Sequence, residues 1–494
     1  MKAYRIALLM LGALFAACTN EEIIEEPQQN EAAKVVHFTA TLAPKDGSTR
    51  SVNKNGVTAW VGGEEIAIYY ETSEGHATAT ASVTGVNGGV ATIEADLPGA
   101  INGGEAKLVY PAWLHNGTGG IDESKLLNNQ NGTLESLSTN FDAATGKGII
   151  SVNGEEATIN GNVGMKNEVC ICKITLSFAE ENGQVNSGSE GGTTLNIEVD
   201  DGRTYTITSA KEDTAGSAVF GQAPTYLPFK TGDVIYVAML PVKAQWLIFS
   251  STDSNGKTYA VAVKGSLEAG KFYRNVPVAL IKDGIYDLRD GNGSFTAHNG
   301  SIITSGGVQT ANTITIPSGC TVMLDDVNLQ LYGSAGIICE GNATIILKGT
   351  NSVESQTDYP AVQAGGSGTT LTICGSGTIT ATGGELSAGI GSRHDSTCGN
   401  IVINGGTITA TGAAFSPGIG SGLCGHCGNI TITNDVTCVT ATKGDDATYS
   451  IGYGELGKCG KITIGGIEYY GGGGEGFQNG GEEYLSQSPL VFEP

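Results

Sequence analysis

The sequence predicts an all-β protein: two tandem β-sandwiches followed by a right-handed parallel β-helix. Three observations carry that prediction. A phrase of about thirty residues recurs through the last two hundred positions. Short alternating strands with Gly and Asn turns run from Val35 to Leu280. Glycine then shifts abruptly, with 43 of 75 glycines falling in residues 282–494.

The repeat is clearest from Ser387 to Gly422, where A/P-G-I-G-S precedes C-G-N-I-x-I twice. Aligned on the last apolar residue of each Thr-Ile-Thr-Ile-like strand, copies fall at Ile316, Ile346, Ile373, Ile403, Ile432 and Ile464. A period this regular marks a solenoid, in which each coil buries its apolar side only against its neighbours. Within a copy the alternation has period two, so the pieces are strands. Glycine and Asn-Gly at the corners supply positive φ at low cost. Six coils stacked at ~4.8 Å make a rod on the order of 25 Å long. Gly284 to Gly300 is expected to close its first coil. The tail from Tyr469, with Tyr470, Phe477 and Tyr484, is expected to cover the last, because an open coil end is a bare sheet edge.

The N-terminus is a processing signal in its own right. Lys2 and Arg5 precede the apolar run Ile6–Phe15, and Ala16-Ala17 lead into Cys18. Positive start, apolar middle and small residues describe a secretory signal peptide over 1–17. With a cysteine directly after the small residues, it resembles a bacterial lipoprotein signal. That resemblance implies lipidation of Cys18, by acyl chains such as palmitate, and a membrane anchor without a spanning helix. Residues 18–33, with Glu21, Glu22, Glu25 and Glu26, read as an acidic tether. Acidic residues after a lipid cysteine resemble the export signal of lipoproteins that reach the outer face of the Gram-negative outer membrane.

The β-rich part divides near Gly164, giving sandwiches over 34–164 and 165–281 ahead of the 282–494 rod. Its marker phrases are Trp60-Val-Gly-Gly-Glu-Glu-Ile66, Gly232-Asp-Val-Ile-Tyr-Val-Ala-Met-Leu-Pro-Val242 and Leu267-Glu-Ala-Gly-Lys-Phe-Tyr273 with Val276-Pro-Val-Ala-Leu280. In this order, behind a lipoprotein signal, they resemble the fimbrillin-like family of fimbrial subunits and accessory tip proteins. The resemblance covers residues 34–281 and implies two transthyretin-like sandwiches. In polymerising members an arginine after the first strand is cut, that strand leaves, and a neighbouring subunit's strand fills the groove. Arg50 sits where that cut falls; it reads equally as an exposed loop arginine, since loop tips are nicked whatever their role. Stalk subunits end on their donor strand, whereas this chain continues into a solenoid, which points to a tip, accessory or stand-alone adhesin. The rod phrases themselves resemble repeat domains of bacterial surface proteins described as carbohydrate-binding. Asp213-Thr-Ala215 resembles a simple bacterial O-glycosylation pattern.

Chemistry is sparse. There is no G-x-x-x-x-G-K-[ST], H-E-x-x-H or G-x-S-x-G, so no catalytic residue and no cofactor is assigned. Parallel β-helices include polysaccharide-cleaving enzymes, whose carboxylates would here come from Asp325-Asp326 or from Arg393-His394-Asp395; both read as solvated corners. Cys424-Gly-His-Cys427 lacks a second pair at finger spacing, so no metal is assigned. Cys398, Cys427 and Cys459 occupy one repeat position and should stack, either free as small apolar fillers or bridged. Cys170 and Cys172 share one strand face and cannot easily bridge each other. A net charge of −24 without a basic cluster excludes nucleic acid as a partner. Expected partners are therefore a membrane through Cys18, a glycan or host-surface ligand, and fimbrial subunits by strand addition. A purely structural spacer and a polysaccharide-degrading enzyme are the rival readings.

Overall fold

The computed structural model describes residues 34–43, 59–180, 185, 190–210, 226–290, 293–472 and 475–494. The signal region, Cys18, Arg50 and Asp213–Ala215 lie outside the described residues. The described chain is all-β, with two sheets that wrap around separate cores, then a parallel β-helix.

In the first unit, Val35–Leu42 lies between Val90–Pro98, antiparallel, and Glu156–Val163, parallel. The alternation read in the sequence puts Val36, Phe38, Ala40 and Leu42 in the core. The ladder also closes on itself, because Glu105–Tyr110 pairs with Ala144–Asn153. The Trp60 phrase is a structural clasp. The indole Nε1 of Trp60 donates to Ala43 O at 2.9 Å, and its ring meets Tyr110 edge-on at 5.2 Å. The Tyr110 hydroxyl donates to Glu64 at 2.7 Å.

The second unit is a seven-stranded sheet whose edges are Thr204–Thr208 and Val234–Met239. Residues 130–132, which precede both, bridge these edges. Thr208 N–H donates to Gln130 O at 3.0 Å and Tyr236 N–H to Gly132 O at 2.8 Å. The buried Gln130 side chain pairs with both backbone groups of Ala238, each at 2.8 Å. Leu114, Leu126, Leu137 and Phe141 accordingly belong to the second core.

In the rod, each coil runs through three parallel sheets in turn, here called first, second and third, and six coils contain all three strands. Between Gly284 and Gly300 the described residues form an incomplete leading coil, with strands in the first and third sheets. Ile285–Asp287 pairs with Ile302–Thr304, and Ser294–Thr296 with Thr313–Ile316. The tail closes the far end as expected. Ile467–Tyr470 and Leu490–Phe492 add antiparallel strands to the first and second sheets. Leu485, Leu490 and the rings of Tyr469, Tyr470, Phe477 and Tyr484 pack on the core.

The register differs from the sequence alignment at its first two positions. Ile373, Ile403, Ile432 and Ile464 do stack, but the preceding members are Ile345 and Val322. Ile316 lies in the third sheet, opposite Cys339. Ile346 points outward, between Met323 and Cys374. A period of two cannot place a run such as Ala343–Leu347 when both of its faces are buried.

The repeated motifs have local causes. In the C-G-N-I phrase, Asn400 Oδ1 accepts from the N–H of Asn429, one coil on, at 2.8 Å, and Asn429 Oδ1 from Lys461 N–H at 2.9 Å. In the G-I-G-S phrase, Gly391 and Gly420 have φ of 140° and 138°, and a Cβ on either would lie within 1.8 Å of the next coil's carbonyl oxygen. Only glycine fits there.

Candidate functional site

The three faces of the rod have different fates. The first sheet is docked on the second unit. Ile302, Met323, Ile346 and Cys374 meet Ile248, Ala260, Trp246 and Ala262 in a small apolar cluster. Beside it, Lys348 Nζ bridges Glu198 of the second unit at 2.7 Å and Asp325 of the preceding coil at 3.0 Å. Burial lowers the Lys348 pKa, but the two carboxylates outweigh it and the net shift is upward. Ser376 Oγ donates to Asp200 at 2.6 Å, and burial raises that carboxyl above its ordinary value. The connection is a tight turn. Asp283 N–H donates to Thr258 O at 2.8 Å, Gly284 N–H to Ile281 O at 3.0 Å, and Ile302 N–H to Gly284 O at 2.7 Å. The rod thus lies side-on against the second unit.

In its later coils the third sheet is roofed by its own corner loops. Its strands Ile390–Gly391 and Ile419–Ser421 are buried. Leu423 N–H donates to Leu386 O at 3.1 Å and Glu455 N–H to Phe415 O at 2.9 Å, tying the loops of one coil to those of the next. The Arg393 guanidinium lies 5.5 Å above the Tyr359 ring. Tyr332, 82% exposed, stands on a corner of an earlier coil.

The second sheet is open, and here the Thr-Ile-Thr-Ala-Thr repeats make a grid. Ile379, Ile408 and Val439 point into the core, while alternate residues face out. Thr380, Thr409 and Thr440 form one column, and Thr382, Thr411 and Thr442 the next. Columns step by ~4.8 Å between coils and by ~6.6 Å along a strand. Earlier coils extend them with Ser352 and Glu354, then Asn328 and Gln330. Glu354 is the one charged group in these two columns, on a chain of net charge −24. The surface offers hydroxyl and amide hydrogen bonds at fixed spacing.

The cysteine stack exists as a set of free thiols. Cys398, Cys427 and Cys459 are all buried. Cys427 Sγ donates to Gly452 O at 3.4 Å. Contact with the Cys427 thiol, then burial, pushes the Cys398 thiol well above its usual value. Cys170 and Cys172 are also free and buried on one strand. Cys424 sits at a corner with φ 55°, partly exposed, while Cys427 faces the core.

The two acidic corners do not converge. Asp325 is engaged by Lys348, and Asp326 accepts from Thr350 N–H at 2.7 Å. Arg393, His394 and Asp395 lie two coils on, at the corner between the third and first sheets, where Asp395 N–H donates to Leu423 O. Among the described residues no group of three or more His, Cys, Asp or Glu side chains could hold a metal ion, and no helix is long and apolar enough to cross a membrane.

A family model described as a β-helix repeat matches residues 371–392 and 401–423, the two copies of the phrase read first in the sequence. No curated protein matches the chain. Solved structures similar to part of it include a fimbrial protein from Bacteroides ovatus, at TM-score 0.25 and 9% identity over 51% of this chain and 50% of that one. A fimbrial assembly protein from Parabacteroides distasonis is similar at TM-score 0.23 and 10% identity, over 50% of this chain and 90% of that one. The tip fimbrial protein Mfa3 from Porphyromonas gingivalis, truncated at its C-terminus, is similar at TM-score 0.21 and 10% identity, over 46% and 81%. The chain therefore spans about half the length of the first of these, and its structural neighbours are fimbrial and adhesion proteins.

Proposed function

We propose that the chain is a surface-displayed adhesion protein of fimbrial type that holds an uncharged glycan or similar host-surface ligand on its rod. The observation that carries this reading is the open threonine sheet. Of three rod faces, one is docked and one roofed, and the free one is a rigid array of neutral hydroxyls. Single hydroxyl contacts are weak, but a pre-formed array loses little entropy on binding and can engage many ligand hydroxyls at once. The same surface holds no pair of carboxylates placed for acid–base cleavage, so the reading is recognition without chemistry.

The proposal includes the expectations on the N-terminus: removal of 1–17, lipid on Cys18, an acidic tether over 18–33, and display from the outer membrane. It includes units at 34–164, 165–281 and 282–494, with Leu114, Leu126, Leu137 and Phe141 of the first range packed into the second core. Strand exchange after a cut at Arg50 is part of it too. Support comes from the central place of Val35–Leu42, whose departure would open a groove between two strands and empty four core positions. Sequencing the N-terminus of the protein on cells tests this. A start at Ser51 supports exchange, and a start at Cys18 alone removes it.

The function itself is tested by probing the full chain on an array of polysaccharides, beside a Thr380→Val, Thr409→Val, Thr411→Val variant. Binding to neutral glycans that falls at least about tenfold in the variant is the expected result. Silence on the array would leave a structural spacer. Release of reducing sugar from any polysaccharide would replace adhesion with cleavage.

A further inference from the structure

Where the rod meets the second unit there is a cavity of about 280 Å³. It lies between the end of the strand Phe272–Lys282 and the incomplete first coil, so it belongs to neither domain alone. Pockets at domain junctions are common ligand sites, and this volume is just below the usual range of roughly 300–1,000 Å³ for drug-sized molecules. It holds one small ring rather than a polymer.

The lining has two characters. Tyr286 and Phe295 are stacked, with centroids 3.7 Å apart and planes within 14°, and both line the cavity while remaining partly exposed. Such a pair gives the cavity an aromatic wall. Opposite in chemistry are Asp283, Asp287, Asp290, His298 and Ser301. The cations near them are committed. Lys282 binds Glu180 at 3.0 Å, Lys257 pairs with Asp283 at 3.5 Å, and Arg289 holds Asp287 in a bidentate pair, which leaves Asp290 as the unpaired carboxylate of the wall. Asp290 and the His298 ring are exposed and make no side-chain hydrogen bond within the described chain.

The wall is also rigid. Asp283 has φ 51°, and a Cβ on Gly284 would lie 2.4 Å from Ala260 O, so this turn has no room to relax. Its three backbone hydrogen bonds join the second unit to the first sheet of the rod, which keeps the cavity's two sides in register.

We infer that this junction cavity is a binding site for a single neutral pyranose residue, distinct from the threonine sheet. A pyranose is itself two-sided: its C–H face packs on an aromatic ring and its equatorial hydroxyls donate to carboxylates. The unpaired Asp290 carboxylate in the wall disfavours uronic and sialic acids, whose carboxylates it repels. The inference rests on the glycan-recognition reading, which it narrows to a place and a sugar class.

Saturation-transfer NMR of the full chain with glucose, galactose, N-acetylglucosamine and, as the acidic counterpart, glucuronate tests it. At least one neutral sugar should receive saturation and glucuronate should not. Asp290→Asn and His298→Gln, both on exposed side chains that leave the coil's packing intact, should each weaken the neutral sugar by about tenfold. Glu155→Gln, on an exposed turn of the first unit outside both surfaces, should leave it unchanged. Sugar binding that both pocket variants leave intact would overturn the site while the glycan reading stood. Equal binding of glucuronate would overturn the sugar class. Silence in NMR together with silence on the array would remove both readings.

Discussion

Replacing Gly420 with alanine should loosen the rod far more than the same change at Gly452, although the two glycines are nearly identical locally. Both lie mid-strand in the third sheet, with φ of 138° and 143°. Holding a non-glycine residue there costs about 1–3 kcal/mol at either site. The difference lies above them. A Cβ at Gly420 would be 1.8 Å from Gly452 O, whereas at Gly452 its nearest neighbour is Ile462 Cδ1 at 3.4 Å. Contacts under 3.0 Å do not occur, so coils must part locally by about 1.2 Å in Gly420→Ala. That breaks or stretches bonds such as Ile419 N–H to Ser450 O and the Cys427 thiol to Gly452 O. At about 0.5–1.5 kcal/mol each, two or three such losses add about 2–3 kcal/mol to the shared strain. Hydrogen exchange of the peptide around 419–421 in the full chain should then run roughly thirty- to a hundredfold faster in Gly420→Ala than in Gly452→Ala. Equal exchange in the two variants would refute the inter-coil clash.

Three further outcomes are expected. Ile346→Ala removes a fully buried contact from the docked face. It should cost about 2–4 kcal/mol and shift Trp246 fluorescence to the red as the rod lifts from the second unit. For Asp200, burial holds the folded pKa above 3.8, so the fold binds its proton more tightly than the unfolded chain does. This group therefore weakens the junction above its raised pKa and relaxes that penalty as pH falls through it; Asp200→Asn should flatten that part of the melting profile. Thiol labelling at mild alkaline pH should reach the partly exposed Cys424 and Cys438 first. Cys339, pushed by burial to about 12, and the buried Cys398 and Cys427 should label only on unfolding.

The recurring residues of the rod were legible one by one. Isoleucine alternation, corner glycines, and Asn400 and Asn429 of the C-G-N-I phrase act within a coil or on the next one, so a local pattern reports them. The aromatic tail was legible for the same reason, since a solenoid end must be covered. Register at Ile346 was not, because Ala343–Leu347 is buried on both faces and alternation gives no phase, nor was it at Ile316, whose Thr-Ile-Thr-Ile strand alternates in the same way but lies in the third sheet. Nor was the junction cavity. Tyr286, Phe295, Asp290 and His298 sit in no motif, and they meet only because Gly284 turns the chain so close to the second unit that a Cβ there would lie 2.4 Å from Ala260 O.

What the amino-acid order determined alone was therefore the all-β class, the coil repeat, its glycine corners and its capped end, together with the candidate signals at Cys18 and Arg50. Each depends on contacts a few residues or one coil away. The tertiary structure decided which face of the rod is free. The inward residues of its three sheets alternate alike, and the sheets differ in what packs on their outer faces: Trp246 and Ile248 on the first, the loops of Leu386 and Phe415 on the third, and nothing described on the second. Burial of a surface is a property of two distant segments meeting, and no periodicity within either one encodes it.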